Sequence, residues 1–289
     1  MVKIGCLYTY WGREWVCDYP ETIRKMSECG LDVLEMGAGH VYDMSIEELT
    51  KIRDVAKEYN MQLTLNIGPP KDKDLASRDP EIRKAGIEYL CAIIRKMKYL
   101  DAKTFIGAMY SYWPCDFTDT DKEGNWKRSV ESMKEVAKVA EEEDVYLCQE
   151  ILNRYESYLV TTVEEGLKYI EDVGSDHVNL LIDTFHSNIE EDDLVQAFYK
   201  AGDKLGHVHL GESNRKLPGM GKGMPWKEIG QALKDINFNG CAVMEPFLLT
   251  GGPVGDDVKV WTDFSNGADD AKMSEYLTDA VKFLHANFD

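Results

Sequence analysis

Eight times along its length the chain alternates a short apolar, β-rich run with a segment of helical period. The candidate strands are "KIGCLY" from Lys3, "LDVLEMG" from Leu31, "MQLTLNIG" from Met61, "KTFIGAM" from Lys103, "VYLCQEI" from Val145, "VNLLIDT" from Val178, "LGHVHLG" from Leu205 and "GCAVMEP" from Gly240. Runs this apolar suit strands buried on both faces, as parallel strands are. Eight of them, each followed by a helical segment, form the (β/α)8 pattern, and 289 residues is a typical length for it. The expected fold class is therefore α/β, a single (β/α)8 TIM barrel, with residues 1–289 as one catalytic domain. A doubly wound sheet would normally carry a phosphate-binding glycine turn after an early strand. Here "GAGHV" follows the second strand and is not G-x-G-x-x-G, so the barrel is favoured.

Helix signals agree with this division. Ser45 with Glu48 reads as a capping box before "IEELTKIRDVAKEYN", and Asp79-Pro80 as a cap and first-turn proline before "EIRKAGIEYLCAIIRKMKYL". "MSECG" ends a helix at Gly30, the place for a C-terminal glycine. No Ser/Gly/Pro-rich linker divides the chain. The longest segments without periodicity are 110–125, 211–225 and 251–267, which a barrel would place as βα loops on the face that carries active sites.

Hydrophobic residues at 44% and charged residues at 29% describe an ordinary globular core. A net charge of −19 argues against nucleic acid and against an anionic membrane surface as partners. It suits a neutral substrate, or a cation held by carboxylates. The seven cysteines (Cys6, Cys17, Cys29, Cys91, Cys115, Cys148 and Cys241) are odd in number and form no C-x-x-C. Reduced, mostly structural thiols and a cytoplasmic setting are expected. The start "MVKIGCLYTYW" has no basic segment followed by a long apolar one, and no run approaches ~20 apolar residues. Neither an export signal nor a membrane span is expected.

The polar residues at the strand ends carry the chemistry. Strand five ends in "CQEILNR" with Glu150, strand six ends at Asp183, strand seven carries His207 and His209, and strand eight ends at Glu245. Four consecutive strands thus deliver metal-ligand residue types to one rim. Three carboxylates and an imidazole in a dry barrel mouth repel one another unless a cation lies between them. Such a set, with room for further ligands, suits Mn²⁺, Mg²⁺ or Co²⁺ better than structural Zn²⁺. Each residue alone has a plainer reading. A strand glutamate commonly faces solvent, Asp183 could cap a helix, His207 is more naturally structural, and Glu35 could simply pair with a neighbouring base. The alignment of four on successive strand ends outweighs those readings. Beyond them lie groups suited to hydroxyls, namely Arg154, Glu156, His186 and Arg215, and aromatics at Tyr8, Tyr10, Trp11, Tyr112 and Trp113. Aromatic faces over carboxylates and a metal are the makings of a sugar site.

The chain resembles the ketose 3-epimerases (the D-tagatose and D-psicose, or D-allulose, 3-epimerases) over nearly its whole length. The resemblance rests on "YTYW", "YSYWP", "E-x-LNR-[YF]-E", "DTFH-x-NIEE", "GH-x-H-x-GESNR", "PW-x-EIG", "VMEPF" and "KVW". It implies Glu150, Asp183, His209 and Glu245 as ligands of a divalent metal, usually Mn²⁺ or Co²⁺, with Glu150 and Glu245 also as the acid/base pair. It implies Glu156, His186 and Arg215 as the groups holding the C1–C3 end of the substrate, with Trp113 shaping the pocket. His207 and Glu212 belong to the motif without an assigned role. The implied reaction is metal-dependent epimerisation of free ketoses at C3, of the D-fructose/D-psicose or D-tagatose/D-sorbose type, through a cis-enediolate and without an organic cofactor. The family also implies a homodimer or homotetramer.

The departures concern substrate choice. Leu7 stands where the family carries an aromatic in "G-x-[YF]-Y", which would hold the sugar's far end less tightly. Ser187 replaces a usual methionine, and "LPGMGKGMPW" is one residue longer than the family's loop. Aldose–ketose isomerisation on the same ligand ring is the alternative reaction. An endonuclease-IV-like enzyme would want a histidine-rich zinc cluster, and this chain has six histidines and a strongly negative charge. A sugar-binding protein without catalysis fits poorly with a complete pair of basic carboxylates.

Overall fold

Each of the eight apolar runs folds as a strand. These are β1 (Lys3–Leu7), β2 (Val33–Gly37), β3 (Gln62–Asn66), β4 (Thr104–Gly107), β5 (Tyr146–Ile151), β6 (Val178–Asp183), β7 (Leu205–Leu210) and β8 (Cys241–Met244). In this computed structural model, which describes residues 2–221 and 223–288, they close in chain order into one parallel barrel. Pairing of Lys3 with Cys241 and of Cys6 with Met244 seals the last strand to the first. The expected α/β barrel is the fold observed.

Register decides which residues share the interior. Gly5 lies beside Val33 and Val243, Glu35 beside Leu7 and Thr64, Leu181 beside His207, and Asp183 beside His209. Because side chains alternate along a strand, these pairs line one face. The lower interior is apolar, with Val33, Cys241 and Val243 in one small cluster and Ile106, Cys148 and Leu181 in another. Toward the C-terminal ends the same face turns polar, through Glu35, Thr64 and His207 to Glu150, Asp183 and His209, all buried. The outward faces pack against the surrounding helices in the main core.

The helix signals act as read. Ser45 and Glu48 form a reciprocal capping box on Ile46–Glu58, Asp79 caps Pro80–Met97, and Gly30 takes φ +86° after Tyr19–Glu28. Two short helices, Ala38–Asp43 and Gly252–Asp257, occupy segments that show no helical period. Helix Lys122–Glu143 begins inside the 110–125 loop, so Asn125 belongs to its first turn. Lys222, within the lengthened loop, lies outside the described residues. No helix among the described residues is long and apolar enough to cross a membrane.

Candidate active site

The strand ends bring their polar residues together. Glu150 is the penultimate residue of β5, Asp183 the last of β6 and His209 the penultimate of β7. Glu245 follows β8, its backbone N–H donating to Leu210 O at 3.0 Å. Each of the four offers one ligand-type atom, and these atoms lie within 4.8 Å of one another. His209 Nδ1 lies close to both glutamates, 3.3 Å from Glu150 Oε1 and 3.7 Å from Glu245 Oε2.

Local structure explains how so many acids stay buried. Asp183 is the N-cap of the helix Thr184–Glu190, its Oδ1 accepting from Phe185 N at 2.6 Å. Its Oδ2 accepts from Arg215 Nη1 at 2.8 Å, and the same nitrogen donates to Glu245 Oε2 at 2.8 Å. Arg215 has φ +62°, and its guanidinium lies over the Phe185 ring at 4.0 Å and the Phe247 ring at 5.3 Å.

The electrostatics are strained. Burial pushes the Glu245 carboxyl up to about 8; His209 and Arg215 pull it back, while Glu150 and Asp183 add repulsion. Burial also works against a charged Asp183, yet Arg215, His186 and His209 outweigh it and hold its pKa below the ordinary value. Burial opposes a charged His209, but Glu35, Glu245 and Glu150 raise its pKa well above normal. Three carboxylates that repel one another, beside one imidazole, are a donor set that fits a divalent cation. A second group, Glu35, His207 and His209, could also hold an ion by distance. Its members are already within hydrogen-bonding distance of one another, His209 Nε2 at 2.9 Å from Glu35 Oε1 and His207 Nε2 at 3.1 Å from Glu35 Oε2.

Above the ring lies a cavity of 320 Å³, at the small end of the usual ~300–1,000 Å³ for small-molecule sites. Glu150, Glu245, Glu156, His186 and Arg215 supply its polar wall, and Leu7, Tyr8, Trp15, Trp113 and Phe247 its apolar one. Glu156 accepts from Trp113 Nε1 at 3.0 Å. Burial resists its charge, but His186 and Arg215 win and lower its pKa. His186 Nδ1 accepts from Asn153 N at 3.2 Å, and its Nε2 is 3.0 Å from Arg215 Nη2.

Several residues picked from the sequence lie elsewhere. Arg154 is a correction: its side chain is 63% exposed and forks onto Glu190, with both bonds at 2.9 Å. The turn beginning at Asn153 sends Arg154 outward and Glu156 inward. Tyr10 donates to Met273 O at 2.8 Å within the core. Trp11 packs under Lys25, and Tyr112 donates to Asp116. Glu212 braces its own loop, accepting from Gly219 N at 2.9 Å and Trp226 Nε1 at 3.0 Å. Glu35 does pair with neighbouring bases, His207 and His209, inside the barrel. Asn153, Trp15 and Phe247 were not singled out from the sequence. Asn153 and Phe247 at least sit inside the motifs "LNRYE" and "MEPF".

Comparison with known proteins agrees with this fold. The model of the xylose isomerase-like TIM barrel family matches residues 23–263. The D-psicose 3-epimerase of Agrobacterium fabrum is 44% identical over 283 residues, covering 98% of this chain and 98% of the relative. That of Enterocloster bolteae is 43% identical over 290 residues, covering 99% of this chain and 96% of the relative. The crystal structure of a D-psicose 3-epimerase in the presence of D-fructose superposes with a TM-score of 0.97 at 44% identity, over 99% of both chains. The structure of the Clostridium cellulolyticum enzyme with D-tagatose gives the same TM-score of 0.97 at 44% identity over 99% of both chains. With full-length relatives of this kind and the barrel they share, the chain is an epimerase of the isomerase class and belongs to the ketose 3-epimerase family.

Proposed function

We propose that this epimerase inverts C3 of free ketoses, interconverting D-fructose with D-psicose or D-tagatose with D-sorbose, with residues 1–289 acting as one catalytic domain. The observation that carries the reading is the placement of Glu150 and Glu245 at the ends of separate strands, both close to His209 Nδ1 and both lining the cavity. Relatives 43–44% identical that match the chain end to end are D-psicose 3-epimerases, and structures of such enzymes have been solved with D-fructose and D-tagatose.

In this proposal Glu150, Asp183, His209 and Glu245 hold a divalent ion, Mn²⁺ with Co²⁺ or Mg²⁺ as alternates. When bound, the ion supplies Lewis-acid stabilisation of the negative charge that develops on the substrate's O2 and O3. The C3 hydrogen lies α to the C2 carbonyl, and one of the two glutamates removes it with a carboxylate oxygen. The other glutamate returns a proton to the opposite face of the planar enediolate, which inverts the centre. Glu156, His186 and Arg215 hold the hydroxyls of the C1–C3 end, and Trp113 and Leu7 shape the apolar wall. No organic cofactor takes part. We place the enzyme in the cytoplasm, where its seven free cysteines stay reduced, as a homodimer or homotetramer.

The test is a panel of free ketohexoses and ketopentoses offered to purified protein with Mn²⁺ or Co²⁺ and scored by product identity. C3 epimers are expected. Aldoses formed by moving the carbonyl between C1 and C2 would favour the isomerase alternative instead. Glu150→Gln and Glu245→Gln should each lose turnover, and retained activity in either would sink the two-base mechanism.

A further inference from the structure

Glu35 lies inside the barrel on β2, fully buried, and takes no part in lining the cavity. A carboxylate there is costly unless each oxygen finds donors. It finds four. Oε1 meets His209 Nε2 at 2.9 Å and Asn66 Nδ2 at 3.1 Å; Oε2 meets His207 Nε2 at 3.1 Å and Thr64 Oγ1 at 3.2 Å. The neighbours come from β3 and β7, so the group is clamped from two sides of the barrel.

An ionised carboxylate only accepts, so the His209 nitrogen facing it must carry a proton. The two imidazole nitrogens lie on different edges of one rigid ring, and tethering Nε2 sets the heading of Nδ1. That heading is toward Glu150 Oε1 and Glu245 Oε2, at 3.3 and 3.7 Å. We propose that Glu35 is a positioning residue, which holds His209 as the Nε2–H form and aims the Nδ1 lone pair into the ring of Glu150, Asp183 and Glu245. Thr64 and Asn66 fix Glu35 in turn. A carboxylate behind a ligating histidine orients the ring and raises its basicity, and losing one typically costs about 10–100-fold in metal affinity. The inference rests on reading His209 as a metal ligand.

The first measurement uses the wild-type protein loaded with Mg²⁺ and labelled with ¹⁵N at histidine, the His209 signals being identified by their loss in His209→Gln. A proton on Nε2 and none on Nδ1 is expected. A proton on Nδ1 overturns the proposal. The second is Mn²⁺ titration by calorimetry. Glu35→Gln, which puts an amide NH₂ against one of the donor pairs, should weaken binding 10–100-fold, and Glu35→Asp should recover part of the loss. A folded Glu35→Gln protein with wild-type Mn²⁺ affinity overturns the proposal, as would two Mn²⁺ per chain with one lost in that variant. Should Glu35→Gln fail to fold, the wild-type nitrogen assignment decides. If His209→Gln itself keeps Mn²⁺ affinity, the reading of His209 fails. If His209→Gln loses the metal while Glu35→Gln does not, only the role of Glu35 fails.

Discussion

Asp183 and His186 stand three residues apart on one strand-to-helix turn, yet their surroundings differ. Asp183 gives one oxygen to Phe185 N and the other to Arg215, within the ring of ligand-type atoms. His186 lines the cavity against Asn153 and Arg215. Asp183→Ala should therefore lose metal, and the metal-free variant should be destabilised by about 3 kcal/mol because a buried guanidinium loses one of its partners. His186→Ala should keep metal and lose sugar affinity or rate. Metal content per chain and kcat/KM separate the two, and equal metal loss would refute the division. Glu245 supplies the pH dependence. Its carboxyl is pushed from 4.5 up to about 8, so across that window the native state holds a proton that the unfolded state releases. This group's contribution to metal-free stability thus falls as pH rises from about 4.5 to about 8. A bound cation needs the carboxylate and must displace that proton. Mn²⁺ affinity should climb between pH 6 and pH 8 with proton release, and a flat profile in calorimetric titration would contradict it. At this scale residue types and strand ends were readable. Arg154 was misjudged, because two positions along a turn decide between solvent and cavity, and nothing in its own chemistry marks which.

The strands were legible because staves covered on both faces need nearly continuous apolar runs, a local property of the chain. The helices with side-chain caps were legible for the same reason. Ser45→Ala removes the capping box of Ile46–Glu58 and should cost about 1 kcal/mol in denaturant unfolding. Ser45 touches nothing at the site, so turnover should not change. Ala38–Asp43 and Gly252–Asp257 escaped notice since each spans six residues and begins at a glycine with no capping side chain. Gly107, ending β4, is a harder constraint. It has φ +123°, and a Cβ there would lie 2.0 Å from Ile67 O. Strain and clash together should make Gly107→Ala lose roughly 3 kcal/mol or more, read as a lowered denaturation midpoint. A neutral effect would mean that the β3–β4 edge yields far more easily than its geometry implies.

For the whole molecule, the ring of acids links stability to the proposed ion. Metal at 100 times its Kd should stabilise the fold by ~2.7 kcal/mol, so chelation should lower Tm and abolish turnover, and Mn²⁺ should restore both. Unchanged Tm and activity after chelation would refute metal dependence. Taken alone, the sequence determined the eight staves, their order, the acids and imidazoles at their C-terminal ends, and the motifs of the family. Each of these is a property of neighbouring residues or of a run with its own period. The tertiary structure alone decided which contacts these polar groups make with one another. Glu35 meets His209 across 174 positions of chain, and Arg215 joins Asp183 to Glu245 across 32 and 30. Those meetings depend on closure of β8 onto β1 and on the register shift between Leu180 and Leu181, where β6 pairs with β7. Closure and register are set by the packing of all eight strands together, so no single stretch of sequence carries them.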